Sequence, residues 1–208
     1  MPAYNQIAGR SLERIAAISD GIFAVAMTLL VLDLKTPAGE AIHSDAGLLH
    51  ALAGMYPQFI TYLLSFLTLG IFWMGQQAQL SLLSASDRGF SWIHLGFLCG
   101  VSFIPFSTRL LAEYIEYRAA IFVYWMNLLL LGALLYISWR HAARHKLLKD
   151  EATEELRCAF ERRVLVSQAL YAAGALLCLI DDRLAIGVII LLQLNYVFAP
   201  RLPFLSRV

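Results

Sequence analysis

Arg14, Ser19 and Asp20 stand at the start of an apolar run, Ile15 to Leu34, that is long enough to cross a bilayer. About twenty helical residues at roughly 1.5 Å each reach about 30 Å, the hydrocarbon thickness. A guanidinium and a carboxylate are costly at membrane depth and face protein or water there rather than lipid. Two chemistries suit them: a polar network that ties helices together, or proton exchange at Asp20 in a transporter or proton-conducting protein. Arg14 lies near one interface and can snorkel to it. A spacing of six does not stack Arg14 on Asp20, so each is expected to pair with another helix. The candidate partners are Gln76, Gln77, Gln79 and the indole N–H of Trp73. The plainer reading of Asp20 is a helix-start residue favoured by the macrodipole.

A second pattern in the same run is apolar. Val25, Thr28, Leu29 and Leu32 fall on one helix face, and Ile18 and Gly21 or Ile22 extend it toward the start. Thr28 is its only hydroxyl. Such a stripe packs in a bundle, faces lipid, or lines a pore whose apolar constrictions gate by dewetting. Periodicity does not choose among these.

The elements that must position these residues are membrane helices. Of 208 residues, 60% are hydrophobic and 15% charged, with mean hydropathy +0.67; soluble domains carry nearer a quarter charged residues. The expected architecture is an all-α membrane protein, one transmembrane domain over 1–208 with six spans. The spans are about 15–34, 56–80, 92–111, 119–139, 164–180 and 184–198. His43 to Met55 reads as a short interfacial helix, and Pro105 as a kink or early end of the third span. A charged segment, Arg140 to Arg163, is expected to separate the fourth and fifth spans. Within it, Glu151, Glu154 and Glu155 face Arg157, Arg162 and Arg163 as a salt-bridged cytoplasmic helix. Asp181-Asp182-Arg183 turns into the sixth span, and Pro200 and Pro203 end it.

Orientation follows from Lys and Arg. With the N-terminus inside, the cytoplasmic set holds Arg10, Arg14, Arg88, Arg140, Arg144, Lys146, Lys149, Arg157, Arg162, Arg163, Arg201 and Arg207. The outer set holds only Lys35, Arg109, Arg118 and Arg183. Both termini are therefore expected in the cytoplasm. The outer connections are acidic, with Asp33, Glu40, Asp45, Glu113, Glu116, Asp181 and Asp182. They form either a cation-concentrating mouth or ordinary polar loops.

Other residues carry less. A net charge of +1 argues against a nucleic-acid partner. Cys99, Cys158 and Cys178 are too widely spaced for a disulfide framework or a zinc motif. Gly96 and Gly100 form a small-xxx-small packing pair. His141 and His145 have the spacing of metal ligands, but their basic neighbours Arg140, Arg144 and Lys146 favour a solvated or headgroup-facing surface. No nucleophile motif such as Gly-x-Ser-x-Gly is present, so no enzyme and no cofactor are expected.

Arg14-x-x-x-Ile18-Ser19-Asp20, followed by Gly21 through Leu32, resembles the signature first helix of the transmembrane protein 175 family of potassium channels. Ile18 replaces the family's phenylalanine. Pro57-Gln58-Phe59 through Tyr62, Ser65-Phe66 and Trp73 is similar to the family's second helix, with Gln76 and Gln77 where relatives commonly carry histidine. The resemblance implies a prokaryotic single-repeat member that assembles as a homotetramer in a bacterial inner membrane. It further implies pore-lining and gating roles for Val25, Leu29 and Leu32, and potassium preference at Thr28. Arg14, Ser19, Asp20, Trp73, Gln76 and Gln77 would form the helix-tying polar network. Potassium and other monovalent cations would be the permeant species. A proton-coupled transporter using Asp20 and a non-transporting membrane scaffold are the alternatives.

Overall fold

The computed structural model describes residues 11–37, 42–179 and 182–198. They form α1 (Leu12–Leu32), α2 (Asp45–Gly54), α3 (Tyr56–Ser81), α4 (Arg88–Glu113), α5 (Arg118–Arg144), α6 (Glu154–Leu176) and α7 (Asp182–Phe198). A 3-10 turn, Leu177–Leu179, joins the last two. Four helices, α1, α3, α4 and α5, are long and apolar enough to cross a membrane. Arg10, Gly39, Glu40, Asp181, Pro200, Arg201, Pro203 and Arg207 lie outside the described residues, and the side chains of Asp182 and Arg183 are likewise not described.

Side-chain caps set several helix starts. Ser11, Ser44, Asp87 and Thr153 each accept a hydrogen bond from a backbone N–H in the first turn of α1, α2, α4 and α6, satisfying donors the helix itself leaves unpaired. The α5 end is unusual. Lys146 adopts a left-handed φ of 55°, and the Leu147 N–H reaches the Ala142 carbonyl at 3.0 Å. This closes a Schellman motif with lysine where glycine is usual. The N–H of Ser84 then bonds the Leu147 carbonyl at 2.8 Å, and the N–H of Lys149 bonds the Leu82 carbonyl at 2.9 Å. The α3–α4 and α5–α6 connections are thus tied together.

Two sequence expectations are corrected. The charged segment does not separate spans as a unit. The α5 helix runs on to Arg144, and Glu154 to Arg163 is the first part of the same helix as the apolar run from Val164. Glu and Arg are good helix formers, so a change from polar to apolar surroundings does not break the backbone. Ion pairs Arg157–Glu154 at 3.5 Å and Arg140–Glu161 at 3.2 Å hold its charged part. The apolar part runs to Leu176 and is followed by the 3-10 turn Leu177–Leu179. Of the kink and the early end expected at Pro105, the early end does not occur, since the helix continues to Glu113.

The core lies where α4 meets α5, the most extensive helix pair. Phe97, Leu98, Val101 and Ile104 meet Leu128, Leu131 and Leu135 there. Gly100 permits the approach: a Cβ at that position would fall 2.9 Å from Leu131 Cδ2. The α1 helix packs against α3 and α4, burying Ser19, Phe23, Ala26 and Leu30. A smaller apolar cluster of Leu80, Leu83, Phe90, Ala142 and Leu147 receives Leu12, Ile15 and Ala16 from the start of α1.

Candidate functional site

The α1 helix presents two faces. Ser19, Phe23, Ala26 and Leu30 recur at helical spacing and are buried, with Phe23 lying 6.0 Å from the Phe97 ring. Away from them, Val25, Leu29 and Leu32 are 57%, 43% and 72% exposed in the chain. Thr28 is also exposed, and its hydroxyl donates to the Val25 carbonyl of the same helix at 2.8 Å. A hydroxyl that gives its proton to its own helix keeps its lone pairs turned outward as an acceptor. Arg14, Ile18 and Gly21 continue the Val25 line toward the helix start at spacings of four, three and four, and all three are exposed.

Asp20 is joined to α3. Its Oδ1 accepts from Trp73 Nε1 at 2.8 Å and from Gln77 Nε2 at 2.7 Å. Trp73 and Gln77 are four residues apart and share one face of α3. Gln76 does not join them. One position earlier, it turns about 100° away; its side chain is buried, with neither amide atom hydrogen-bonded among the described residues. Gln79 is turned elsewhere and donates to Ser138 on α5 at 2.7 Å. Ser19 pairs away from Asp20. Its hydroxyl bonds the Ile15 carbonyl at 2.6 Å and His94 Nε2 on α4 at 2.8 Å. The Arg14 side chain makes no ion pair among the described residues and lies exposed at the start of α1. Among the described residues, then, the six residues of the expected network form two separate ties, Asp20 to α3 and Ser19 to α4, with Arg14 and Gln76 in neither.

The sequence reading missed a larger polar chain. Thr108 donates to Ser65 at 2.6 Å, Ser65 donates to Tyr124 Oη at 3.2 Å, and Tyr124 shares a hydrogen bond with Thr68 at 3.1 Å. Gln193 of α7 donates to Thr68. All five side chains are buried. Their link joins α3, α4, α5 and α7, and inside a bilayer such bonds help hold helices in place. The available signal was Thr61, Ser65 and Thr68 recurring at four and three along α3. His94 carried no signal of its own, since its partner lies 75 residues away.

At the other end of α1, Asp33 lies 3.9 Å from Arg109, which also approaches Glu113 at 3.9 Å. Leu30, Asp33, Gln58, Thr61, Thr108 and Arg109 line a cavity of about 240 Å³ there. The acidic residues near this end are thus partly paired with Arg109 on α4.

A family model described as the endosomal/lysosomal potassium channel TMEM175 matches residues 14–105. A potassium channel of Chamaesiphon minutus is 32% identical over 187 residues, covering 88% of this chain and 92% of that protein. One of Streptomyces collinus is 36% identical over 135 residues, 63% of this chain and 64% of its own length. The crystal structure of a lysosomal potassium-selective channel TMEM175 homolog from Chamaesiphon minutus superposes with a TM-score of 0.78 at 29% identity, over 91% of this chain and 98% of that one. The matched segment carries α1 with its buried and exposed faces, both α1 ties and most of α4. With a relative aligned over nearly its full length, the chain belongs to the TMEM175 family.

Proposed function

We propose that the chain is one protomer of a homotetrameric, potassium-preferring cation channel in a bacterial inner membrane. One six-span domain would place both termini in the cytoplasm and bring four copies of α1 around the symmetry axis. The observation that carries the reading is the division of α1. One face is buried against α3 and α4, while Val25, Leu29 and Leu32 stay exposed without a partner in the protomer. Asp20 supports it. Its carboxylate is exposed in the protomer, and at membrane depth it needs protein or water rather than lipid around it.

In this arrangement Val25, Leu29 and Leu32 form successive apolar rings that close by excluding water and open by widening. Thr28 contributes an outward hydroxyl oxygen between the rings and is the residue assigned to potassium preference. The Asp20–Trp73–Gln77 and Ser19–His94 ties hold α1 at a fixed rotation, and rotation decides which side chains face the axis. The named relatives, two potassium channels and a potassium-selective homolog, support potassium as the permeant ion. The alternative is a proton-carrying protein that uses Asp20, whose carboxylate is bonded to two non-titratable groups, Trp73 and Gln77.

The experiment is potassium flux from liposomes holding the purified protein under a potassium gradient. Flux that exceeds sodium flux, and that changes in Leu32→Ala, is expected. A folded tetramer that passes no potassium sinks the proposal.

A further inference from the structure

Where the α3–α4 and α5–α6 connections are tied together, three metal-ligating side chains converge that the channel reading does not use. Asp87, the N-cap of α4, and His141 and His145, in the last turn and at the C-cap of α5, hold ligand atoms within 4.8 Å of one another. The His141 Nε2 lies 2.9 and 3.0 Å from the two Asp87 carboxylate oxygens. That contact is a hydrogen bond in which Nε2 carries the proton, so a bound cation would take the place of that proton between the two groups. His145 Nδ1 lies 2.9 Å from the His141 carbonyl. Donating to that carbonyl fixes the tautomer and leaves Nε2 as the ligating nitrogen, the usual orientation device of metal-bound histidine.

The backbone makes room for the cluster. A Cβ on Gly89 would fall 2.6 Å from His141 Cε1 and 2.9 Å from Nε2, so the ring rests on the first turn of α4 only because that residue is glycine. The carbonyl end of α5 adds a partial negative charge beside both histidines. His145 is exposed and its ring stacks on His141 at 4.0 Å, which keeps its ligand atom beside the pair.

The geometry points to a binding site for one borderline divalent transition cation, of which Zn²⁺ is the type, formed by Asp87, His141 and His145. Two imidazoles and one carboxylate suit such an ion. Hard cations such as Mg²⁺ or Ca²⁺ need more oxygen ligands, and the basic neighbours Arg88, Arg144 and Lys146 oppose an ion held by charge alone. Bound metal would clamp the end of α5 to the start of α4. Leu12, Ile15 and Ala16 of α1 rest on the adjoining cluster that contains Phe90 and Ala142. The clamp would therefore stiffen the seat of α1 and alter conduction, a consequence that rests on the channel reading, whereas the binding does not.

The test is calorimetric titration of the full-length protein, stripped with a chelator and kept in detergent, with Zn²⁺ alone and then Mg²⁺ alone. One Zn²⁺ per protomer and no saturable Mg²⁺ binding are expected. His145→Ala and Asp87→Asn should each weaken Zn²⁺ at least about tenfold, and His50→Ala on α2 should leave it unchanged. His145→Ala keeps the Asp87–His141 contact, so its elution as wild type on size exclusion separates a lost ligand from a lost fold. Absence of saturable Zn²⁺ binding in the wild type overturns the assignment. So does equal affinity in wild type, His145→Ala and Asp87→Asn. Zn²⁺ binding by a protein that passes no potassium would leave the site standing and the channel reading fallen.

Discussion

Replacing Asp20 removes the acceptor that joins α1 to α3, and the size of the loss can be worked from its two bonds. Trp73 Nε1 and Gln77 Nε2 reach the same oxygen at 2.8 and 2.7 Å. A hydrogen bond to a charged group contributes about 1.5–3 kcal/mol; exposure of Asp20 places each at the lower end. Asp20→Ala is thus expected to cost about 3 kcal/mol. Trp73→Phe, which keeps the ring and removes the N–H, should cost about 1.5 kcal/mol. Independent effects would sum to about 4.5 kcal/mol, but a bond cannot be lost twice. The double variant should therefore cost only about 3 kcal/mol, a coupling of about 1.5 kcal/mol. Asp20→Asn keeps an acceptor without the charge and should lose about half as much as Asp20→Ala. The assay is SDS-titrated unfolding in mixed micelles, followed by circular dichroism because Trp73 is itself altered. Additivity of Asp20→Ala and Trp73→Phe to within about 0.5 kcal/mol would refute the reasoning.

Three further outcomes follow from the geometry. Phe23→Ala empties a site that is 2% exposed between α1 and Phe97; it should cost about 3–5 kcal/mol, read in the same unfolding titration. Tyr124→Phe removes the hydroxyl shared by Ser65 and Thr68 and should cost about 1–3 kcal/mol by leaving buried partners unsatisfied, seen as a lower thermal midpoint. Thr28→Val removes only a bond within its own helix, so assembly on size exclusion should be unchanged while the potassium-to-sodium flux ratio falls.

What the sequence disclosed depended on the range of each signal. Apolar runs are local, and α1, α3, α4 and α5 each cover one long enough to cross a membrane. The α6 helix was misread because hydropathy follows the surroundings of side chains, whereas Glu154 to Arg163 and Val164 onward share one continuous backbone. Trp73 and Gln77 were among the candidates for Asp20, with Gln76 and Gln79, because all four carry N–H donors at the same end of α3. Gln76 could not be set apart from Gln77 without knowing the rotation of α3. The Ser19–His94 and Asp87–His141 pairs were invisible, joining residues 75 and 54 positions apart. His141 looked like part of a basic surface because its sequence neighbours are basic, while its carboxylate partner arrives from the α3–α4 connection.

The central claim is that the Leu32 line of α1 faces an ion pathway rather than lipid. Cysteine accessibility tests it, in a parent where exposed Cys99 and Cys158 and half-buried Cys178 are replaced by alanine. Potassium flux from liposomes is measured before and after a positively charged methanethiosulfonate reagent is added to Leu32→Cys, with Leu63→Cys on the exposed face of α3 as the comparison. The account predicts that flux through Leu32→Cys is blocked, while the parent and Leu63→Cys are unaffected. Undiminished flux through Leu32→Cys that mass spectrometry shows to be fully labelled would contradict it.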